Sequence, residues 1–142
     1  MILTYEGLCL VPIKVSGNAS GRVCDIISNS LLPEILKFAE RKNLAVMYLS
    51  NIHGLVYYDT FLTNESMRQR PKQIQLWTRL VAEQIYRECI ELSVTKIFYM
   101  GNNFRGLDIS LKYTIIGYGL RFEFPLSGMR IKEAREFLKM II

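Results

Sequence analysis

The residue types best suited to chemistry are few and scattered in this 142-residue sequence. His53 is the only histidine. It lies in Asn51-Ile52-His53-Gly54, a run that reads as a chain reversal, with no nucleophile or carboxylate at a spacing that would make it a general base. Cys9, Cys24 and Cys89 are odd in number and lack close pairs, so neither a disulfide framework nor a structural zinc site is expected. Asp25, Asp59 and Asp108 are too few and too scattered for a metal-dependent nuclease. The sequence therefore reads as a non-enzyme, with no catalytic residue, metal ligand or cofactor assigned.

Its cations are better organised. Arg68, Arg70, Lys72 and Arg79 fall within 66–79 with no acidic residue among them, which suits a loop that follows a polyanion backbone. Gly101 and Gly106 bracket Asn102, Asn103, Phe104 and Arg105, and no Lys-Ser or Lys-Thr follows, so this is not a P-loop. A loop that enters a helix still offers backbone N–H groups, and Arg105 adds a fork of donors, so a phosphate would fit. Lys112 follows within that helix. Arg130, Lys132 and Arg135, with Lys139, make a second basic group, diluted by Glu133 and Glu136. Phe104 and Tyr118, beside glycines, could stack on bases. For each group the alternative is a solvated face, a tight turn or core packing.

The elements that must position these residues follow from composition and periodicity. Half of the residues are hydrophobic and 22% are charged, with 18 Lys+Arg against 13 Asp+Glu and a formal net charge of +5. A chain this apolar is not a disordered basic tail, and its length suits one domain. No apolar run is long enough to span a bilayer, and the opening residues lack the basic region and cleavage pattern of a secretory leader. Ile and Leu far outnumber Ala, at 16 and 18 against 5, a skew associated with AT-rich genomes.

Residues 1–15 read as extended, with Pro12 suggesting an edge strand, and 16–21 as a loop. A short helix should follow Ser30 and end at Arg41-Lys42-Asn43. Strands are expected at Leu44–Leu49 and Leu55–Tyr58. Ile74, Trp77, Leu80, Val81, Ile85 and Cys89 recur at helical spacing, giving a helix over 73–91. The β-prone run 94–100 should lie inside the sheet, followed by a helix from Leu107 to Ile116 and a strand over 120–124. A basic amphipathic segment, 127–142, closes the sequence. The fold class expected is α/β: a single-domain mixed-sheet sandwich with helices packed on the sheet.

This order of elements resembles ribosomal proteins, above all the small-subunit protein of universal family eleven. Val56-Tyr57-Tyr58-Asp59 matches that family's strand end, Gly101 with Arg105 stands where it has a Gly-rich phosphate loop, and Ser127-Gly128-Met129-Arg130-Ile131-Lys132 is similar to its basic tail. The tail here lacks the family's prolines and cysteine, and only two glycines remain in the loop. The likeness covers roughly residues 44–135, dividing the chain into an N-terminal extension (1–43), an α/β rRNA-binding core (44–126) and a basic tail (127–142). It implies a structural constituent of the small ribosomal subunit, binding small-subunit rRNA at the platform beside neighbouring ribosomal proteins, with neither DNA nor membrane as partner. The RNA-binding residues would be Arg68, Arg70, Lys72, Arg79, Asn102, Asn103, Arg105, Lys112, Arg130, Lys132 and Arg135. With the Ile-rich composition, the expected location is the mitochondrial matrix, with a plastid as alternative. Large-subunit family eighteen, which binds 5S rRNA, is similar through Phe104-Arg105-Gly106-Leu107 and Gly119-Leu120-Arg121-Phe122. A protein–protein assembly module of a large complex is the other reading.

Overall fold

A computed structural model describes residues 4–15, 21–23, 27–50, 54–62, 71–101 and 109–141. Their order is β1 (Gly7–Val15), β2 (Gly21–Arg22), β3 (Ile27–Ser28), α1 (Leu32–Lys42), β4 (Leu44–Ser50), β5 (Gly54–Val56), β6 (Phe61–Leu62), α2 (Pro71–Leu92), β7 (Lys96–Tyr99), α3 (Ile109–Gly117), β8 (Arg121–Glu123) and α4 (Ile131–Ile141). The main sheet runs β5-β4-β1-β7-β8, with β3 added to β1, while β2 and β6 form a separate pair. β1, β4, β7 and β8 are parallel, and β5 turns back antiparallel along β4. The mixed α/β sandwich expected from the sequence is what forms.

Alternation along β1 explains the three layers. Leu8 and Leu10 point to one face, where Val81, Ala82, Ile85 and Cys89 of α2 and Leu111 and Ile115 of α3 cover them. Cys9, Val11 and Ile13 point to the other, against Ile35, Phe38 and Ala39 of α1 and Ala134 and Leu138 of α4. A strand buried on both faces needs a near-continuous apolar run, and Leu8 to Val11 supplies one. Residues 7–15 are thus the middle of the sheet, paired with β4 from Gly7 to Ile13 and with β7 from Leu8 to Leu10. The first 43 residues supply the core's central strand instead of standing outside it.

Pro12 does not mark an edge, because β1 changes partner there. The Met100 amide donates to the Leu10 carbonyl at 3.0 Å, and the Asn29 side-chain amide donates to the Pro12 carbonyl at 2.9 Å, so both carbonyls face the β7 side. The last pair with β7 is Leu10–Tyr99, and the first with β3 is Lys14–Ser28. Pro12 falls between, where no ladder needs its missing N–H.

The helix ends are locally encoded. The Leu31 amide donates to the Asn29 side-chain oxygen at 2.9 Å ahead of α1, and Pro33 follows in its first turn. Asn43 closes α1 in the left-handed region at φ 55°, and its side chain donates to the Thr4 carbonyl. At the start of β1, a Cβ on Gly7 would lie 2.9 Å from the Lys96 carbonyl oxygen, so close pairing there requires glycine.

Ile97 is fully buried at the centre of the α2/α3 layer. Ile97→Ala should lower unfolding free energy by about 2–5 kcal/mol in urea titrations, and a loss under about 1 kcal/mol would contradict this packing. Burial also pushes the Cys9 thiol up to about 12 and the Cys89 thiol, with Glu88 adding, up to about 11. Raised folded-state values mean this stabilisation is complete below the ordinary thiol range and is lost as pH climbs through the folded values. The urea midpoint should fall progressively above about pH 9, and a flat profile through the thiol range would contradict the buried placement of both cysteines.

Candidate nucleic-acid interface

In a parallel α/β layer each crossover helix starts where one strand ends and finishes where the next begins. α1 ends at Asn43, directly before the Leu44–Gly7 pair, and α2 ends shortly before Lys96, which pairs with Arg121. α3 likewise leads into Arg121. The starts of α1, α2, α3 and α4 therefore lie toward the opposite edge, where β1, β4, β7 and β8 end. Helix N-termini carry partial positive charge and free amides, so this carboxyl edge favours anions before any side chain is considered.

The strand order also reverses at β1. The chain goes from β1 to β4 through α1 on one face, then crosses to β7 and β8 through α2 and α3 on the other. The connections after β1 and β7 thus depart toward opposite faces, giving a switch point between their carboxyl ends, where β3 and the Asn29 side chain occupy the β7 side of β1 beyond Met100.

Arg130 and Lys132 are exposed at the start of α4, on this edge. Lys112 is half-buried in the first turn of α3, its ammonium 5.1 Å from the centre of the Phe124 ring and 6.0 Å from that of Tyr113. Arg79 is exposed but sits ~12 Å along α2 from Pro71. It also lies in the α2/α3 layer, on the opposite face of the sheet from α4. Arg135 is engaged within the protein. Its guanidinium pairs with Glu34 at 3.2 Å and donates to the Ser30 carbonyl at 3.1 Å, fastening α4 to the start of α1. Arg68, Arg70, Asn102, Asn103, Arg105, Phe104 and His53, and the side chains of Lys72 and Trp77, lie outside the described residues. Tyr118 packs at a tilt against Tyr86, with ring centres 4.7 Å apart and an interplanar angle of 31°, and remains exposed.

The expected contact residues that the structure describes are thus split between faces, Arg79 and Lys112 with α2 and α3 and Arg130 and Lys132 with α4, while Arg41, Lys42, Lys96 and Arg121 lie at the opposite edge. Among the described residues, no group of three or more His, Cys, Asp or Glu side chains could hold a metal ion, and no helix is long and apolar enough to cross a membrane. In the sequence Tyr99 is only one of many aromatics suited to packing, yet its hydroxyl is buried at the end of β7 with no hydrogen-bond partner. A tyrosine two residues before a glycine at a strand end was the available signal. No protein-family model matches the chain, and neither a curated protein nor a solved structure is significantly similar to it.

The division of labour between Arg135 and its neighbours can be measured. Arg135→Ala should reduce stability by up to about 1 kcal/mol, as for a partly exposed ion pair, and leave RNA affinity nearly unchanged. Arg130→Ala with Lys132→Ala should do the reverse. Equal affinity losses in both proteins would contradict this assignment.

Proposed function

We propose that this chain is a non-catalytic RNA-binding protein that grips phosphates along the carboxyl edge of its sheet. The observation carrying the reading is that α1, α3 and α4 begin on the side where β1, β7 and β8 end, with Arg130, Lys132 and Lys112 in or beside the first turns of α4 and α3. Such contacts hold a phosphate backbone in register and carry little sequence information. The sequence places Arg68, Arg70, Asn102, Asn103 and Arg105 in the segments that lead into α2 and α3, and Lys72 in the first turn of α2, consistent with the same role.

The specific form, resting on the family-eleven resemblance, is a structural constituent of the small ribosomal subunit bound to small-subunit rRNA in a mitochondrion. Large-subunit 5S rRNA and a plastid are the alternatives within that resemblance. A second reading, an assembly module that works mainly through protein contacts, is favoured by α3. Ile109, Tyr113 and Ile116 lie on its outer side at 69%, 65% and 43% exposure, an unusual apolar stripe for a solvated helix.

Filter-binding titrations against structured rRNA at several salt concentrations separate the two. Phosphate gripping predicts that log K falls linearly with log salt, with a slope corresponding to several neutralised phosphates. A salt-independent affinity, or none, would overturn the RNA reading, and co-sedimentation with one subunit after mild ribosome dissociation decides the ribosomal form.

A further inference from the structure

Eleven large apolar side chains are exposed among the described residues, and six of them stand on the outer side of one helical layer. They are Leu76, Leu80 and Ile90 on α2, each more than half exposed, and Ile109, Tyr113 and Ile116 on α3. On each helix they lie opposite the side that packs on the sheet, which is Val81, Ala82, Ile85 and Cys89 on α2 and Leu111 and Ile115 on α3. The two helices pack side by side, and Tyr118 after α3 meets Tyr86 of α2. The α1/α4 layer exposes Ile131 and Met140 in this class. Single exposed apolar residues need no explanation, but a patch shared by two adjacent helices marks a contact site.

The charges among these residues point to what covers them. Arg79, Glu83, Arg87 and Glu91 are exposed on the same outer side of α2, four residues apart and alternating in sign. The ion pairs among the described residues are Lys96–Glu123 and Arg135–Glu34, so none of these four is held in one. Their spacing supports the helix on its own, but it does not account for Leu76, Leu80 and Ile90 between them. Their charges also sum to zero, which makes this face a poor match for a polyanion. A two-fold contact requires that residue i meet residue j while j meets i, and this face satisfies that rule. With a second α2 laid antiparallel about the level of Ile85, Arg79 comes level with the partner's Glu91, Glu83 with the partner's Arg87, and Leu80 with the partner's Ile90. A parallel copy would instead set like charges level with one another, which is disfavoured.

We infer that the outer face of α2 and α3 docks a second copy of this chain, forming a two-fold dimer with the two α2 helices antiparallel and the apolar residues of α3 widening the contact. The dimer goes beyond the RNA-binding reading and does not rest on it. Arg130 and Lys132 lie with α4 on the other face of the sheet and stay open to RNA.

The test is sedimentation velocity of the full chain at about 1–200 μM, the range in which a modest interface associates. Wild type should shift from monomer to dimer with concentration and go no further. Leu80→Gln with Ile90→Gln should weaken association at least tenfold while keeping the wild-type circular dichroism, since both residues are exposed and glutamine suits a helix. Glu83→Arg alone should weaken it by about tenfold, the scale of a like-charge clash, and adding Arg87→Glu should restore it. All three proteins should bind an oligoribonucleotide as wild type does, so a failure of the dimer and a failure of the RNA reading are told apart. A wild type that stays monomeric throughout, or a dimer that ignores these substitutions, overturns the proposal. Growth beyond two copies would also overturn it, because a two-fold contact closes.

Discussion

The rest of the structure depends on β1 being buried on both faces and paired on both sides. Parallel neighbours on each side demand crossover connections, and those connections must be helices lying on the two faces. The apolar run Leu8–Val11 makes the strand insoluble on either face alone. Two helical layers therefore follow from one strand: α1 with α4, and α2 with α3. Because the crossovers leave β1 in opposite directions, the same constraint creates a switch point where β1 and β7 end.

That arrangement adds a directional field to a moderately basic chain. A net charge of +5 is a modest excess of cations. Helix N-termini add partial positive charge at one edge only, and Arg130, Lys132 and Lys112 stand at or near them. At the opposite edge the helices end, and Arg41, Lys42, Lys96 and Arg121 stand beside their C-terminal carbonyls. Arg135 shows that a cation's place in the sequence does not determine its use, since Glu34 and the Ser30 carbonyl hold it to the protein itself. The exposed stripe of α3 begins near the same edge at Ile109 and runs away from it to Ile116.

Much of the secondary structure was legible because it is periodic. The spacing from Ile74 to Cys89 gives a helix over 73–91, and α2 spans Pro71–Leu92. The α3 segment contains Thr114, Ile115 and Ile116, poor helix formers, but Ile115 is fully buried and the Thr114 hydroxyl donates to the Ser110 carbonyl, so packing outweighs propensity. The central position of β1 was not legible. Pro12 argued for an edge, and only the partner exchange between β7 and β3 accounts for it. The separation of Arg79 from Arg130 and Lys132 was equally hidden, because periodicity identifies a strand without saying which neighbour it takes. The Tyr99 hydroxyl needed three-dimensional packing to stand out from the other aromatics.

The central claim is that one edge of the sheet meets the polyanion. Backbone amide shifts during titration with an oligoribonucleotide test it most directly. The account predicts perturbations concentrated at Gly101, Ile109 and Arg130–Lys132, with Asn43, Ser93 and Gly119 at the far edge unmoved. Perturbations centred on the far edge, or spread evenly over both, would contradict it.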